Sequence, residues 1–227
     1  MRKIFVLFAV SLLSSVAFAQ QNMQKMLLIK ELPVQALYAT CGNEIKVSIV
    51  GKNVNEKIKY SAENAVILPS SKVAHLIIMP NNGTKNVVLK AFSGDKLIAS
   101  ETLSVREVPG AEVVITGFED LPDSEYSKLI KVPTEISLKV IPDEEFALYF
   151  PKDISYRVNS FSITQARGSK PVAKWKSEGN RVDLSGIVVE DGDRLVVINI
   201  VAQRTSFRGE LLDAKLRTKF LILNIKQ

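Results

Sequence analysis

The chain has 227 residues, 46% of them hydrophobic, with 30 basic residues against 24 acidic ones, one histidine and one cysteine. That apolar content excludes a disordered chain, and the single cysteine excludes an internal disulfide. A net charge of +6 interspersed with acids argues against nucleic-acid binding, and one histidine with one cysteine is too few for a structural zinc site.

In chain order, residues 1–19 read as a secretory signal peptide. Arg2 and Lys3 give the positive start, Ile4 to Val16 the apolar run, and Ala17-Phe18-Ala19 the small-x-small cleavage site. The run is shorter than the roughly 20 residues of a spanning helix. Cleavage is expected to leave a mature, exported chain from about Gln20, periplasmic or beyond, with no membrane insertion. Losing Arg2 and Lys3 leaves 28 basic residues against 24 acidic, a charge of +4. Residues 20–31 read as a short leader ordered by a partner.

From Leu32 the pattern is β throughout. Val34–Tyr38, Glu44–Val50, Lys57–Ser61 and Val73–Met79 are rich in β-branched residues or alternate, with Gly, Asn and Pro between them. Asn81-Asn82-Gly83 predicts a turn into Asn86–Phe92. Ser93-Gly94-Asp95 predicts a hairpin into Lys96–Val105, because Gly and Asp tolerate left-handed turn geometry. About seven short strands in this space predict a first immunoglobulin-like sandwich over residues 32–108. Val108-Pro109-Gly110 is the expected boundary, and residues 109–227 are the expected second sandwich.

The second half offers strands at Glu112–Thr116, Thr134–Ile141, Ile154–Thr164, Lys170–Ser177, Arg194–Gln203 and Lys215–Ile225, with an acidic loop or linker arm from Glu119 to Lys128. In Ile154–Thr164 the apolar alternation changes phase, which predicts a bulge at Asn159-Ser160. No amphipathic helix is expected; Leu184–Val189 suits a short turn. The fold class is therefore all-β, two tandem immunoglobulin-like sandwiches.

Little here supports catalysis. His75 lies within an apolar strand with no nucleophile elbow beside it. The acids Asp143-Glu144-Glu145 and Glu190-Asp191-Gly192-Asp193 read as turns with nothing to desolvate them, unlike a glycosidase pair across a cleft. Asp191-Gly192-Asp193 lacks the ligand spacing of a calcium loop. Cys41 reads as a half-buried structural thiol. No catalytic residue, cofactor or metal is expected. Arg204, Phe207 and Arg208 read as a basic loop with an aromatic tip; with Arg167, Lys170 and the lone Trp175 they are the candidate partner-contact residues, since Arg and aromatics favour interface centres. A rival reading is a sandwich that binds glycan or cell-wall ligands through the Trp175 face.

Several segments resemble the last two periplasmic domains of the GldM and PorM motor proteins of gliding motility and type IX secretion in Bacteroidota. They are Val34-Gln35-Ala36-Leu37-Tyr38, then Asn43-Glu44-Ile45-Lys46-Val47-Ser48 and Gly51, Ser93-Gly94-Asp95 and the exit Arg106-Glu107-Val108-Pro109. In the second half they are Ile154-Ser155-Tyr156-Arg157-Val158 with Ser160-Phe161-Ser162-Ile163, Gly192-Asp193-Arg194-Leu195 and the closing Thr218–Ile225. Glu44 stands where the family has Pro, and a cleavable signal stands where it has a transmembrane helix and two further domains. The resemblance implies a free-standing periplasmic module that dimerises and meets protein partners of an envelope assembly, with no catalytic residues.

Overall fold

The computed structural model describes residues 27–31, 36–50, 57–116 and 133–225. The signal peptide, the first part of the leader and the acidic stretch Glu119 to Lys128 lie outside the described residues.

In the first half, β1 (Leu27–Glu31), β3 (Asn43–Ile49), β6 (His75–Pro80) and β5 (Ala65–Pro69) form one sheet in the order β1-β3-β6-β5. The other sheet holds β2 (Leu37–Tyr38), β8 (Lys96–Arg106), β7 (Asn86–Ser93) and β4 (Ile58–Glu63) in the order β2-β8-β7-β4. Period-2 alternation aims Ile45 and Val47 of β3, Ile78 of β6 and Val87, Leu89 and Ala91 of β7 into one buried cluster between the sheets. The expected hairpin closes where Ser93 pairs with Lys96, with Gly94 at φ +60°.

Two features of this half differ from expectation. Leu27–Glu31 is not a leader awaiting a partner: it pairs antiparallel with β3 as the first strand of the sheet. β2 then pairs parallel with β8, so the entering strand is split between the two sheets. Strand β5 was not anticipated. It follows β4 through Asn64, whose φ of +64° turns the chain into the opposite sheet.

The second half pairs a small sheet, β13 (Arg181–Asp183), β10 (Glu135–Ile141) and β9 (Glu112–Ile115), with a larger one. The larger sheet runs β12 (Lys170–Ser177), β11 (Ser155–Arg167) and β14 (Asp193–Thr205). The far edge of β14 carries β15 (Leu211–Asp213) at one end and β16 (Leu221–Asn224) at the other. Ile136, Leu138, Phe161, Ile163, Leu195 and Leu223 pack between the two sheets.

The predicted bulge is present. The β11–β14 register shifts between Val158 and Ser160 and again before Ser162, and Asn199 on β14 sits opposite with φ +53°. On each strand the buried positions change phase there, from Phe161, Ile163 and Gln165 to Val158, and from Leu195 and Val197 to Ala202 and Arg204. Val158 stays in the second core, while beyond the bulge Arg204 of β14 serves a different buried region, at the first sandwich.

Asp143 to Glu145 are not an idle turn. Asp143 caps a short helix, α1 (Glu144–Tyr149), its carboxylate accepting from the Phe146 amide at 3.1 Å, with Glu144 and Glu145 in the first turn. The Leu184–Val189 stretch holds no helix. The described residues are otherwise all-β, two two-sheet sandwiches in tandem. Among the described residues no helix is long and apolar enough to cross a membrane.

Candidate functional site

The buried region beyond the bulge is a joint between the sandwiches. The first half contributes Tyr38 of β2 and, after it, Cys41; α1 and its exit contribute Phe146 and Phe150, with Val108 and Ile154 packed alongside. Tyr38 meets Phe146 and Phe150 edge-on, at 5.2 and 5.0 Å between centroids, while the two phenylalanines stack at 5.2 Å. Such arrangements suit aromatic quadrupoles. The Arg106 guanidinium lies 4.3 Å from the centroid of the Tyr38 ring. Asn43, 1% exposed, fixes the turn before β3: its Oδ1 accepts from the Tyr38 amide at 2.7 Å, and its Nδ2 donates to the carbonyls of Tyr38, Cys41 and Ile78.

Beside the aromatic cluster lies an ion pair that is almost dry. Asp153 is 1% and Arg204 4% exposed. Asp153 Oδ1 accepts from Arg204 Nη1 at 3.0 Å and from the Phe207 amide at 2.7 Å, while its Oδ2 accepts from the Gly42 amide at 3.2 Å. Arg204 Nη2 donates to Thr40 Oγ1 at 2.7 Å, so one guanidinium ties both halves together. Gly42 is required by close approach: a Cβ there would stand 2.6 Å from the Phe207 ring. Burial pushes the Asp153 carboxyl above the usual aspartate range, against the opposing pull of the Gly42 and Phe207 amides and of Arg204.

Cys41 is fully buried rather than half-buried, and its thiol is pushed up to about 12, first by burial and then by the Asp153 charge. The thiolate is the reactive form. Native protein at pH 8 should therefore resist a thiol reagent such as dithionitrobenzoate, and release one equivalent only after denaturation; fast labelling of the native chain would contradict this burial.

A second polar knot pins the Glu190–Asp193 turn. Asp193, fully buried, accepts from Arg167 Nε and Nη2 at 2.9 and 3.1 Å, from Gln165 Nε2 at 2.7 Å and from the Glu190 amide at 2.9 Å. The Arg167 guanidinium, ahead of the other donors, holds this carboxyl well below the usual range. A depressed folded-state value means stability that is present above the ordinary aspartate pKa of about 3.9 and lost as pH falls below it. Asp193→Asn should accordingly lower the melting temperature by several degrees at pH 7, and the gap from wild type should shrink between pH 4 and pH 2. A gap that stays constant over that range would exclude the ionised knot.

The candidate contact residues separate into two groups. Arg204 belongs to strand β14 and is interior, not part of an exposed basic loop; its charge is consumed by Asp153 and Thr40. Phe207 is half-buried, packed on Gly42 with Lys152 Nζ 5.3 Å from its centroid, and only Arg208 of this trio is exposed. Arg167 and Lys170 face each other at the opposite end of β11, while Arg204 pairs with Tyr156. The two groups are thus about 35 Å apart along the strand and form no single surface. Trp175 is half-buried against the second core, which removes much of the ring face that sugar stacking would use.

A shallow cleft of about 490 Å³ runs along the joint, lined by Thr40, Glu107, Pro109, Tyr156, Asp213 and Lys215 among others. Of its two carboxylates, Glu107 is ion-paired with Lys215 at 3.1 Å. His75 is half-buried at the start of β6, its Nδ1 2.8 Å from the Val73 carbonyl oxygen. Among the described residues no group of three or more His, Cys, Asp or Glu is placed to hold a metal.

Sequence reasoning passed over Asp153, Asn43, Phe146 and Phe150. A signal for the last two existed: Pro142-Asp143-Glu144-Glu145 is a helix start, and Phe146 and Phe150 lie one turn apart.

Residues 125–226 match the family described as the GldM C-terminal domain. The match lies within the second half of the chain and supports a GldM-like structural role. No curated protein sequence matches the chain. Among solved structures it is similar to the fibronectin(III)-like modules of Clostridium thermocellum CbhA, at 13% identity and a TM-score of 0.27, covering 89% of this chain and 95% of that one. The Escherichia coli adhesin FdeC aligns at 12% identity and a TM-score of 0.33, over 90% of this chain and 64% of that one. The Yersinia pseudotuberculosis adhesin InvE aligns at 10% identity and a TM-score of 0.29, over 89% and 59%. No family of enzymes is indicated.

Proposed function

We propose, from the match of residues 125–226 to the GldM C-terminal domain, that this chain is an exported, non-catalytic adaptor of a bacterial envelope assembly. In this reading two sandwich domains, parted near Val108-Pro109, are held at one angle and work through protein–protein contacts in the periplasm, in a gliding or type IX secretion system. The homodimer implied by the family resemblance belongs to the same reading.

The observation that carries it is the joint. A buried ion pair is weak support for stability, because desolving two charges offsets most of their attraction. What it supplies is orientation: the Asp153 carboxylate and Arg204 guanidinium are satisfied only when Gly42 and Thr40 of the first half stand where they do. A fixed angle between passive modules suits a strut.

Small-angle scattering of the mature chain tests the strut: a single rigid arrangement is expected, with a broadened ensemble in Arg204→Met. Fractionation and sedimentation equilibrium test the rest. A cytoplasmic location would end the envelope reading, and a strict monomer at micromolar concentration would end the dimer.

A further inference from the structure

The larger sheet of the second sandwich buries its inner face in the core; on β14 and β16 its outer face is apolar as well. Registered pairing sets Lys174, Thr164, Val196 and Ile222 side by side across β12, β11, β14 and β16. The next row is Lys176, Ser162 and Ile198. Ile222 is 37% exposed and the neighbouring Val172 49%, while Val196 and Ile198 are half-buried.

The strand sequences carry the point. A strand with one solvated face alternates apolar and polar residues, whereas one covered on both faces is apolar throughout. β14 reads Leu195-Val196-Val197-Ile198 and β16 reads Leu221-Ile222-Leu223. Leu195, Val197, Leu221 and Leu223 already fill the core. Val196, Ile198 and Ile222 are written for a second cover.

The border of this apolar strip is basic. Lys174 stands exposed on edge strand β12 beside Lys176, which is ion-paired with Glu178 at 2.5 Å, and Arg194 closes the other end of the strip on β14. Pro171 and the lysines also make β12 a poor template for strand addition, which directs a partner onto the face rather than the edge. Four strands about 4.8 Å apart and four residues of each give a face on the order of 250 Å², apolar on β14 and β16. That is the size of an interface centre, with the charged border as its rim, within the roughly 800 Å² that each partner buries in a stable complex.

We infer that this face docks a protein partner presenting an apolar stripe flanked by carboxylates. A second copy of the chain is the wrong occupant, since face-to-face pairing would set Lys174 and Lys176 against like charges. The inference deepens the adaptor reading and rests on it.

The test places the photo-crosslinker p-benzoylphenylalanine in the full-length chain in its host cells, in place of Val172, of Ile222, or of the control Val66, which is 41% exposed on β5 of the first sandwich. Both face positions should cross-link one and the same heterologous protein, through a segment with Asp or Glu beside apolar side chains. The charge reversal Lys174→Glu with Lys176→Glu should cut the adduct at least about tenfold, with the melting temperature of the purified chain unchanged. Adducts with a second copy, with a segment lacking carboxylates, or indifferent to charge reversal overturn the inference. Adducts at Val66 with none on the face overturn it while leaving the adaptor reading intact; silence at all three positions brings down both.

Discussion

Arg204→Met is expected to cost about 3–5 kcal/mol of stability at pH 7, a large part of the 5–15 kcal/mol that holds a typical protein folded. The methionine fills a similar volume, so the loss is electrostatic. Asp153 would keep the Gly42 and Phe207 amides but lose its cationic partner, and a buried carboxylate without a counter-charge is far costlier than a buried pair. The double variant Asp153→Asn with Arg204→Met should recover much of the loss, because both charges then leave together and Asn retains a carbonyl oxygen for one of the two amides. A double variant as unstable as the single would show that the guanidinium contributes through its shape instead.

The same variant has a pH signature. Burial already raises the Asp153 carboxyl above its usual range, and Arg204 is one of the groups that opposes the rise. Without Arg204 the folded-state value climbs further. A carboxyl whose folded pKa exceeds its unfolded one takes up its proton first in the native state, so stability increases as pH falls from the folded value toward about 3.9. The urea midpoint of Arg204→Met should therefore approach that of wild type between pH 7 and pH 5. The Asp193 knot changes in the opposite direction, but only below about pH 4, and it is common to both proteins.

What was legible in the sequence was the part that repeats locally. β3, β7, β10 and β14 declare themselves by alternation or by apolar runs, and the phase change at Asn159-Ser160 marks the β11 bulge. β13 and β15, with three residues each, are too short to show a period. Helix α1 has six, little more than one turn, and its capping aspartate reads equally well as a turn residue. The joint was illegible for a different reason. Arg204 meets Asp153 across 51 residues and Thr40 across 164, and an arginine near the end of a strand, before Ser-Phe-Arg-Gly, carries every local mark of a solvated hairpin tip. Only the bulge, by turning that end of β14 toward the first sandwich, makes it interior.

Phe146→Ala should separate the two halves thermodynamically. Phe146 is 1% exposed and contacts Tyr38 and Phe150 edge-on and stacked; deleting such a ring typically costs about 3–5 kcal/mol, the more so when neighbours cannot close the cavity. Here the loss falls on neither main core, since the first sandwich is packed around Ile45, Ile78 and Leu89, the second around Phe161, Ile163 and Leu195, and Phe146 belongs to the cluster between them. Each half keeps its own interior while the coupling weakens. The lone tryptophan makes this observable: Trp175 packs against the second core and reports on that half alone, whereas far-ultraviolet dichroism reports on both. In wild type the two signals should trace one urea transition. In Phe146→Ala they should part into two, while Phe161→Ala, a ring of equal size lost from the second core, should move the Trp175 transition to lower urea and leave the first half folded behind it. Coincident transitions in Phe146→Ala would mean that the Asp153–Arg204 network couples the sandwiches without help from the aromatic cluster.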